Sequence, residues 1–234
     1  MMAVFFLEFN VSKRVALWIH ANILFSPYFS IASKWMYRQD SIKSMTAFVE
    51  SGHLKSSSTI ETDASSLLVI VREHTRGFKE TNVNIMKAIL QLFLSMCDLF
   101  ESMEKRFLPW AMKAGVEVAI QKISDRKLSS ASKGLLTSLC VVSIPKEVLI
   151  AGFSTLKGVK SPVAHEEYMR WLLTFCDEFG MASAGNGLPD ILPPLLEVRS
   201  MVLLRCTDAS FIPLLTIRSH HFFNVRKQST RTSK

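Results

Sequence analysis

Apolar residues recur along this chain with helical spacing, and short polar breaks separate the apolar segments. In residues 35–51, Ile42, Met45 and Val49 lie three or four positions apart and so share one face of a helix. The same spacing predicts further helices over 63–76, 82–103, 109–123, 130–142, 145–157 and 163–179. The segment 82–103 is the longest and the most apolar, and we expect it at the centre of the core.

Residues with strong preferences for helix ends support several of these boundaries. Asp63 is a candidate N-cap of the second helix, and Gly77 ends that helix. Pro145 is expected in the first turn of a helix, where the backbone N–H that proline lacks is not needed. Gly180 ends the last strongly periodic helix. We expect a short or kinked helix over 189–198, because it contains adjacent prolines. After Arg199 the pattern weakens, and residues 201–206 are a candidate for one more inner helix.

Three apolar segments resemble one another and carry a cysteine in the same local frame. They contain Cys97, Cys140 and Cys176, which are 43 and 36 residues apart. This spacing brackets the roughly 40-residue period of HEAT-type helix pairs. We therefore predict an all-α, HEAT-like α-solenoid of about four to five antiparallel helix pairs. It spans 28–215, with a doubtful last pair, between an atypical N-terminal segment at 1–27 and a basic, disordered tail at 216–234.

Composition excludes several kinds of site. The four cysteines include no Cys-x-x-Cys pair, so zinc-ligand spacing is absent, and we expect buried free thiols in a reducing, cytoplasmic compartment. Residues 1–33 fit neither a signal peptide nor a clean membrane span. The sequence contains no Gly-x-x-x-x-Gly-Lys-Ser/Thr, His-Glu-x-x-His or Gly-x-Ser-x-Gly motif. We expect no enzyme activity, no cofactor and no metal.

The charge of the chain points to an acidic partner. The formal net charge is +8 and the isoelectric point is about 9.4. In a solenoid, the turns inside successive helix pairs line up along one edge. Four such turns carry Lys or Arg, and they are 33–38, 76–82, 124–129 with Lys133 following, and 157–162. They would form a positive stripe that attracts a strongly acidic surface.

The four turns resemble those of a known family. Lys-Trp-x-x-Arg at 34–38 looks like the first turn of a TOG domain, and Gly-Phe-Lys-Glu-Thr-Asn at 77–82 resembles the second. Lys-Ile-Ser-Asp-Arg-Lys at 122–127 resembles the third turn, and 157–171 resembles the fourth turn with its helix. The likeness covers roughly residues 28–197, in order. It departs from the family at Phe78, where Trp is more usual, and in the number of helix pairs, since a full TOG domain has about six.

The resemblance implies binding of the soluble αβ-tubulin dimer through the turn edge, and a role in microtubule plus-end growth and spindle or cytoskeleton organisation. It implies a cytoplasmic, microtubule-associated location and, for a single domain, a monomer. The residues that it implies for tubulin binding are Lys34, Trp35, Arg38, Phe78, Lys79, Thr81, Asn82, Arg126, Lys127, Lys133, Lys157 and Lys160.

Two other functions remain open on the sequence. A generic HEAT-repeat scaffold with a non-tubulin acidic partner has the same fold and the same charge. Nucleic-acid binding also suits a basic protein, but aromatic residues interleaved with the cations are typical of single-strand binders, and the cations here lie in short turns. We expect neither a nucleic-acid nor a membrane partner.

Overall fold

A computed structural model describes residues 35–52, 54–55, 60–180 and 183 of the chain. In this part of the chain, the regular structure is α-helical, in seven helices, and no strand occurs. The helices are α1 (Trp35–Glu50), α2 (Ile60–His74), α3 (Val83–Ser102), α4 (Pro109–Lys122), α5 (Ser129–Val142), α6 (Pro145–Leu156) and α7 (Pro162–Phe179). The predicted all-α class is confirmed for these residues. The predictions for 1–34, 189–198, 201–206 and the tail lie outside them.

Alternate helices pack side by side. The helix α1 packs against α3, α3 against α5, and α5 against α7, while α4 packs against both α5 and α6. The N-terminal half of α2 contacts the start of α4 and the segment that leads into it. Trp110 Nε1 donates to Ser65 Oγ at 3.1 Å, and Lys105 Nζ lies 3.9 Å from Glu61 Oε1. The odd-numbered helices thus form one row, and α4 and α6 are neighbours in a second.

The helix α3 forms the centre of the core, as predicted. Side chains such as Ile85, Ile89 and Phe93 are fully buried between α1 and α5. Among the described residues, α3 is long and apolar enough by length and composition to cross a membrane, but 67% of its apolar window is buried inside the protein. A central core helix needs the same composition, because it is surrounded by other helices.

Two glycines allow close contact between helices. A Cβ on Gly115 of α4 would lie 3.1 Å from Leu139 of α5 and 3.3 Å from Phe93 of α3. Gly152 of α6 lies directly against the ring of Tyr168 on α7. Tyr168 is completely buried and packs edge-on against Phe153, at a centroid distance of 5.2 Å.

The start of α2 differs from the prediction. The helix begins at Ile60, so Asp63 lies within its first turn and is buried, and its assignment as the N-cap was wrong. Ile60 and Ala64 are buried in line with Leu67. Burial of Ile60 on this face extends the helix backwards by three residues beyond the predicted start at residue 63.

The repeated cysteines occupy equivalent helices. Cys97, Cys140 and Cys176 lie towards the C-terminal ends of α3, α5 and α7 and are free thiols. Cys97 and Cys140 are buried, as predicted, whereas Cys176 is half-buried and Cys206 lies outside the described residues. The similar local frame therefore corresponds to similar positions in one row of helices.

Candidate binding edge

The predicted turns lie at the N-terminal ends of the odd-numbered helices. We call them corner 1 (35–38), corner 2 (76–82), corner 3 (124–129) and corner 4 (157–162), and together the basic edge. Corner 1 differs from the prediction of a turn, because its described residues already form the first turn of α1. The other three corners contain the connections from α2 to α3, α4 to α5 and α6 to α7.

One residue, Glu80, links the first three corners. Glu80 of corner 2 forms an ion pair with the Arg38 guanidinium of corner 1. The backbone carbonyl of Glu80 accepts a hydrogen bond of 2.9 Å from Lys122 Nζ, at the end of α4 and next to corner 3. The Glu80 side chain is only 8% exposed, so these contacts are partly shielded from water.

A second carboxylate joins corners 3 and 4. Glu167, near the start of α7, accepts a hydrogen bond from Lys133 Nζ at 2.8 Å. The Ser129 hydroxyl, in corner 3, lies 3.4 Å from the same Oε2 atom. Contacts in or beside each corner therefore link it to the corner that follows it in the chain.

The backbone of corner 2 takes a conformation that L-residues rarely adopt. Arg76, Gly77 and Phe78 have φ angles of 52°, 73° and 66°. Left-handed conformations cost roughly 1–2 kcal/mol for each non-glycine residue. Burial of the Phe78 ring offsets this cost, since it is 4% exposed and packs edge-on against Phe93 at 5.6 Å. The expected role of Phe78 as a contact residue is therefore corrected, because its ring is inside the core, while Lys79 beside it is exposed.

Corners 3 and 4 present their cations on hydrogen-bonded backbone. Asp125 Oδ1 accepts from the backbone N–H of Lys127 at 2.8 Å, and the Asp125 carbonyl accepts from Ser129 N at 2.7 Å. This turn leaves Arg126 and Lys127 exposed. In corner 4, the ring of His165 hydrogen-bonds the Val159 carbonyl at 2.7 Å, and both lysines of that corner are exposed.

An apolar patch lies at corner 1. Trp35 is 39% exposed, Met36 is 52% exposed and Tyr37 is 36% exposed. Sequence reasoning identified the indole but missed the two neighbours, whose exposure depends on how α1 packs on α3. An exposed aromatic side chain with cations nearby is a typical anchor of protein interfaces.

The predicted site residues fall into distinct groups. Of these predicted residues, five are exposed cations that form no ion pair with another described residue, namely Lys79, Arg126, Lys127, Lys157 and Lys160. Arg38 and Lys133 are instead paired with acids. Asn82 caps α3, because its Oδ1 accepts from Asn84 N at 2.9 Å, and Thr81 beside it is exposed. Lys34 lies outside the described residues.

Glu80 and Glu167 are the residues that sequence reasoning missed. Attention to basic residues passed over them, although each lies in or beside a basic corner. The sequence did carry a signal for these pairs, namely their separation along the chain. Arg38 and Glu80 are 42 residues apart, and Lys133 and Glu167 are 34 residues apart. Both values are close to the spacings of 43 and 36 residues between the three cysteines of the similar apolar segments.

Other candidate sites are sparse in the described part of the chain. It contains no group of three or more His, Cys, Asp or Glu side chains arranged to hold a metal ion. An open groove of about 560 Å³ lies between α4 and α6, where Lys113, Glu117, Glu147 and Ile150 contribute to its walls. No residue of the basic edge lines this groove.

Comparison with known proteins gives one distant similarity. No protein-family model matches the chain, and no solved structure matches it. A stretch of 127 residues, 54% of the chain, is 24% identical to centrosomal protein 224 of Dictyostelium discoideum. The chain spans about 6% of the length of that relative. It is thus similar to a short part of a much longer centrosomal protein.

Proposed function

We propose that this chain is a HEAT-like α-solenoid that binds soluble αβ-tubulin through its basic edge. In this role it contributes to microtubule plus-end growth and to the organisation of the spindle or cytoskeleton. The observation that carries the proposal is the contiguous row of four corners, headed by the exposed Trp35 and linked by Glu80 and Glu167.

The solenoid is supported by the regularity of the packing. Successive odd-numbered helices are neighbours, and the contacts between corners join residues 34 to 42 positions apart. A stack of similar helix pairs produces such contacts at each step, because every repeat touches the next one in the same way.

The choice of tubulin rests on the residues of the corners. Their resemblance to TOG-domain turns names the partner, and exposed cations in corners 2 to 4 together with an exposed indole in corner 1 suit an acidic protein surface. The relative's name refers to the centrosome, and we extend that cytoskeletal setting to this chain. Within this proposal, Trp35, Lys79, Arg126, Lys127, Lys157 and Lys160 contact tubulin, and the role is binding rather than catalysis.

Size-exclusion chromatography with unpolymerised tubulin tests the proposal. We expect wild-type protein to co-elute with tubulin at low salt and Trp35→Ala to lose most of the complex, since truncating a hot-spot aromatic costs about 2 kcal/mol or more. Ile150→Ala is the matched control, because Ile150 is similarly exposed, at 45%, but lies on α6 away from the corners. If the folded wild-type chain and tubulin elute separately at low salt, the proposal is wrong.

The second candidate is a scaffold for another acidic protein. The same exposed cations favour it, because they would attract any strongly acidic surface. The two functions separate on competition. Addition of a generic polyanion such as heparin should displace a partner that is held by charge alone equally from wild type and from Trp35→Ala. A partner that is also anchored by the Trp35 indole should need more heparin for displacement from wild type than from Trp35→Ala.

A further inference from the structure

Arg38 and Glu80 form a pair that is less exposed than the other described ion pairs of the molecule. The Arg38 side chain is 24% exposed and that of Glu80 is 8% exposed. The Arg38 Nε atom is buried as well, without a hydrogen-bond partner among the described residues. Most of this guanidinium therefore faces the protein, and its charge is already compensated.

We propose that Arg38 and Glu80 are positioning residues, which fix Trp35 in line with corners 2 and 3, and that Arg38 does not contact the partner. The predicted effect on partner binding rests on the proposed function. The predicted effect on the position of α1 concerns the unbound chain and does not depend on that function. The proposal reassigns Arg38 from the binding surface to the framework that holds that surface in place.

The geometry of α1 explains why such a pair is needed. Among the described helices, α3 is the main packing partner of α1. Far from corner 1, Glu50 at the end of α1 accepts a hydrogen bond of 2.7 Å from Ser95 Oγ of α3. Near corner 1, Arg38 forms its ion pair with Glu80. The two links hold α1 near both of its ends and oppose rotation of the helix about its own axis.

The effect on the indole follows from helical spacing. Trp35 and Arg38 are three positions apart, so they lie on one face of the first turn of α1. Fixing the Arg38 side chain therefore fixes the direction in which the indole leaves the helix. Lys122 Nζ at the end of α4 also donates a hydrogen bond to the backbone carbonyl of Glu80. Glu80 is therefore held by both α1 and α4.

Lys133 and Glu167 form a similar pair two steps further along the edge, between corners 3 and 4. Their Nζ–Oε2 distance is 2.8 Å, and they join α5 to α7. Each of these acids neutralises a cation that the turn pattern predicted as a contact. The cations left to meet a partner are the exposed ones, such as Lys79 and Lys127.

Hydrogen exchange in the unbound protein tests the positioning role. We expect Arg38→Met alone and Glu80→Leu alone each to raise amide exchange in residues 35–41 by about tenfold, because each leaves one poorly solvated charge unpaired. The double variant, Arg38→Met with Glu80→Leu, restores protection to within about threefold of wild type, because an apolar pair replaces the buried ions. If both single variants leave exchange in 35–41 unchanged, the inference is wrong.

Tubulin affinity separates positioning from direct contact. A positioning role predicts that each single variant weakens binding about tenfold and that the double variant recovers most of it. If the double variant regains protection of 35–41 but binds as weakly as Arg38→Met, then Arg38 is a contact and the inference fails. If wild type binds no tubulin, the proposed function fails while the exchange result still decides whether the pair holds α1.

Lys105 with Glu61 supplies the matched control. This ion pair lies near the start of α4, away from the corners, with a distance of 3.9 Å and greater exposure. Lys105→Met and Glu61→Leu should leave both exchange in 35–41 and tubulin binding unchanged. If these control variants have an effect as large as that of Arg38→Met, loss of any ion pair would explain the result. The specific positioning role of Arg38 and Glu80 would then be wrong.

Discussion

Single side chains of the basic edge differ in what they are free to do. Lys79 is exposed, whereas Phe78 beside it is buried against Phe93 and Glu80 is held by Arg38. Three consecutive residues thus point to three different surroundings: Lys79 to solvent, Phe78 to the core and Glu80 to the neighbouring corner. The unusual φ angle of Phe78 makes this division possible, because it turns the ring inwards within a short connection.

Burial also controls the cysteines. Desolvation raises the pKa of the Cys140 thiol to about 12, and the nearby Glu178 carboxylate raises it further. The pKa of Cys97 is raised even more by the same cause, with smaller contributions from Asp98 and Glu101. Both thiols therefore stay protonated in the folded chain under conditions where an unfolded chain would ionise them.

The stability of the protein should consequently fall in alkaline solution. The folded pKa lies above the unfolded value, so this stabilisation is complete below about pH 9 and is lost as the pH rises from there towards 12. We expect the free energy of unfolding to decrease by about 1 kcal/mol per buried thiol between pH 8 and pH 10. Urea unfolding at the two pH values measures this decrease. The Cys97→Ala, Cys140→Ala double variant should lose less stability than wild type between these pH values. An equal loss of stability would contradict the assignment of the effect to these two thiols.

At the scale of helices, the contact between α6 and α7 depends on a missing side chain. Gly152 lies against the ring of Tyr168, which packs in turn, at a tilt of 39°, against Trp171 with a centroid distance of 5.2 Å. Trp171 Nε1 donates to Thr137 Oγ1 of α5 at 3.1 Å. An aromatic column thus connects three helices next to corner 4.

Gly152→Ala should therefore destabilise the protein despite the better helix propensity of alanine. The added methyl group displaces the buried Tyr168, and overpacking of this kind costs about 1–3 kcal/mol. Gly134→Ala in α5 is the control, because it is exposed and nothing lies within 4 Å of the added Cβ. That change should stabilise by roughly 0.4–1 kcal/mol. Thermal unfolding followed by circular dichroism measures both, and similar shifts for the two variants would exclude close α6–α7 packing.

On the scale of the whole molecule, charge distribution should govern binding. The exposed cations of corners 2, 3 and 4 lie on one edge, and salt screens such charges over about 8–10 Å. We expect the tubulin affinity of wild type to fall clearly between low and physiological salt. The double variant Lys127→Glu, Lys157→Glu should bind tubulin more weakly, and its affinity should depend less on salt. Fluorescence titration at several salt concentrations measures both effects.

The control for that experiment has the same change in net charge. Arg106→Glu with Lys113→Glu reverses two exposed cations near the start of α4, about 20 Å along the helices from corner 3. It should retain the affinity and the salt dependence of wild type more closely. Equal effects of the two double variants would mean that overall charge, and not the basic edge, governs the interaction.

Much of the fold follows from local sequence. The 3.6-residue spacing around Ile42, Met45 and Val49 predicts α1 to within a residue, and Asn82 or Pro145 mark helix starts by their own hydrogen-bonding chemistry. The repeated frame of Cys97 and Cys140 likewise predicts equivalent helices. Such features depend on neighbours three or four positions away, so the chain specifies them without reference to its fold.

Only the tertiary structure decided which side chains of the edge are free. Arg38 and Lys133 look like Lys79 or Lys127 in the sequence, but they meet acids 42 and 34 residues away once the helices stack. Burial of Ile60 and Phe78 was decided in the same way. The sequence alone determined the helices and where the cations lie along the chain. Packing determined which of those cations remain exposed, because ion pairing and burial depend on residues that are distant in the chain and adjacent in space.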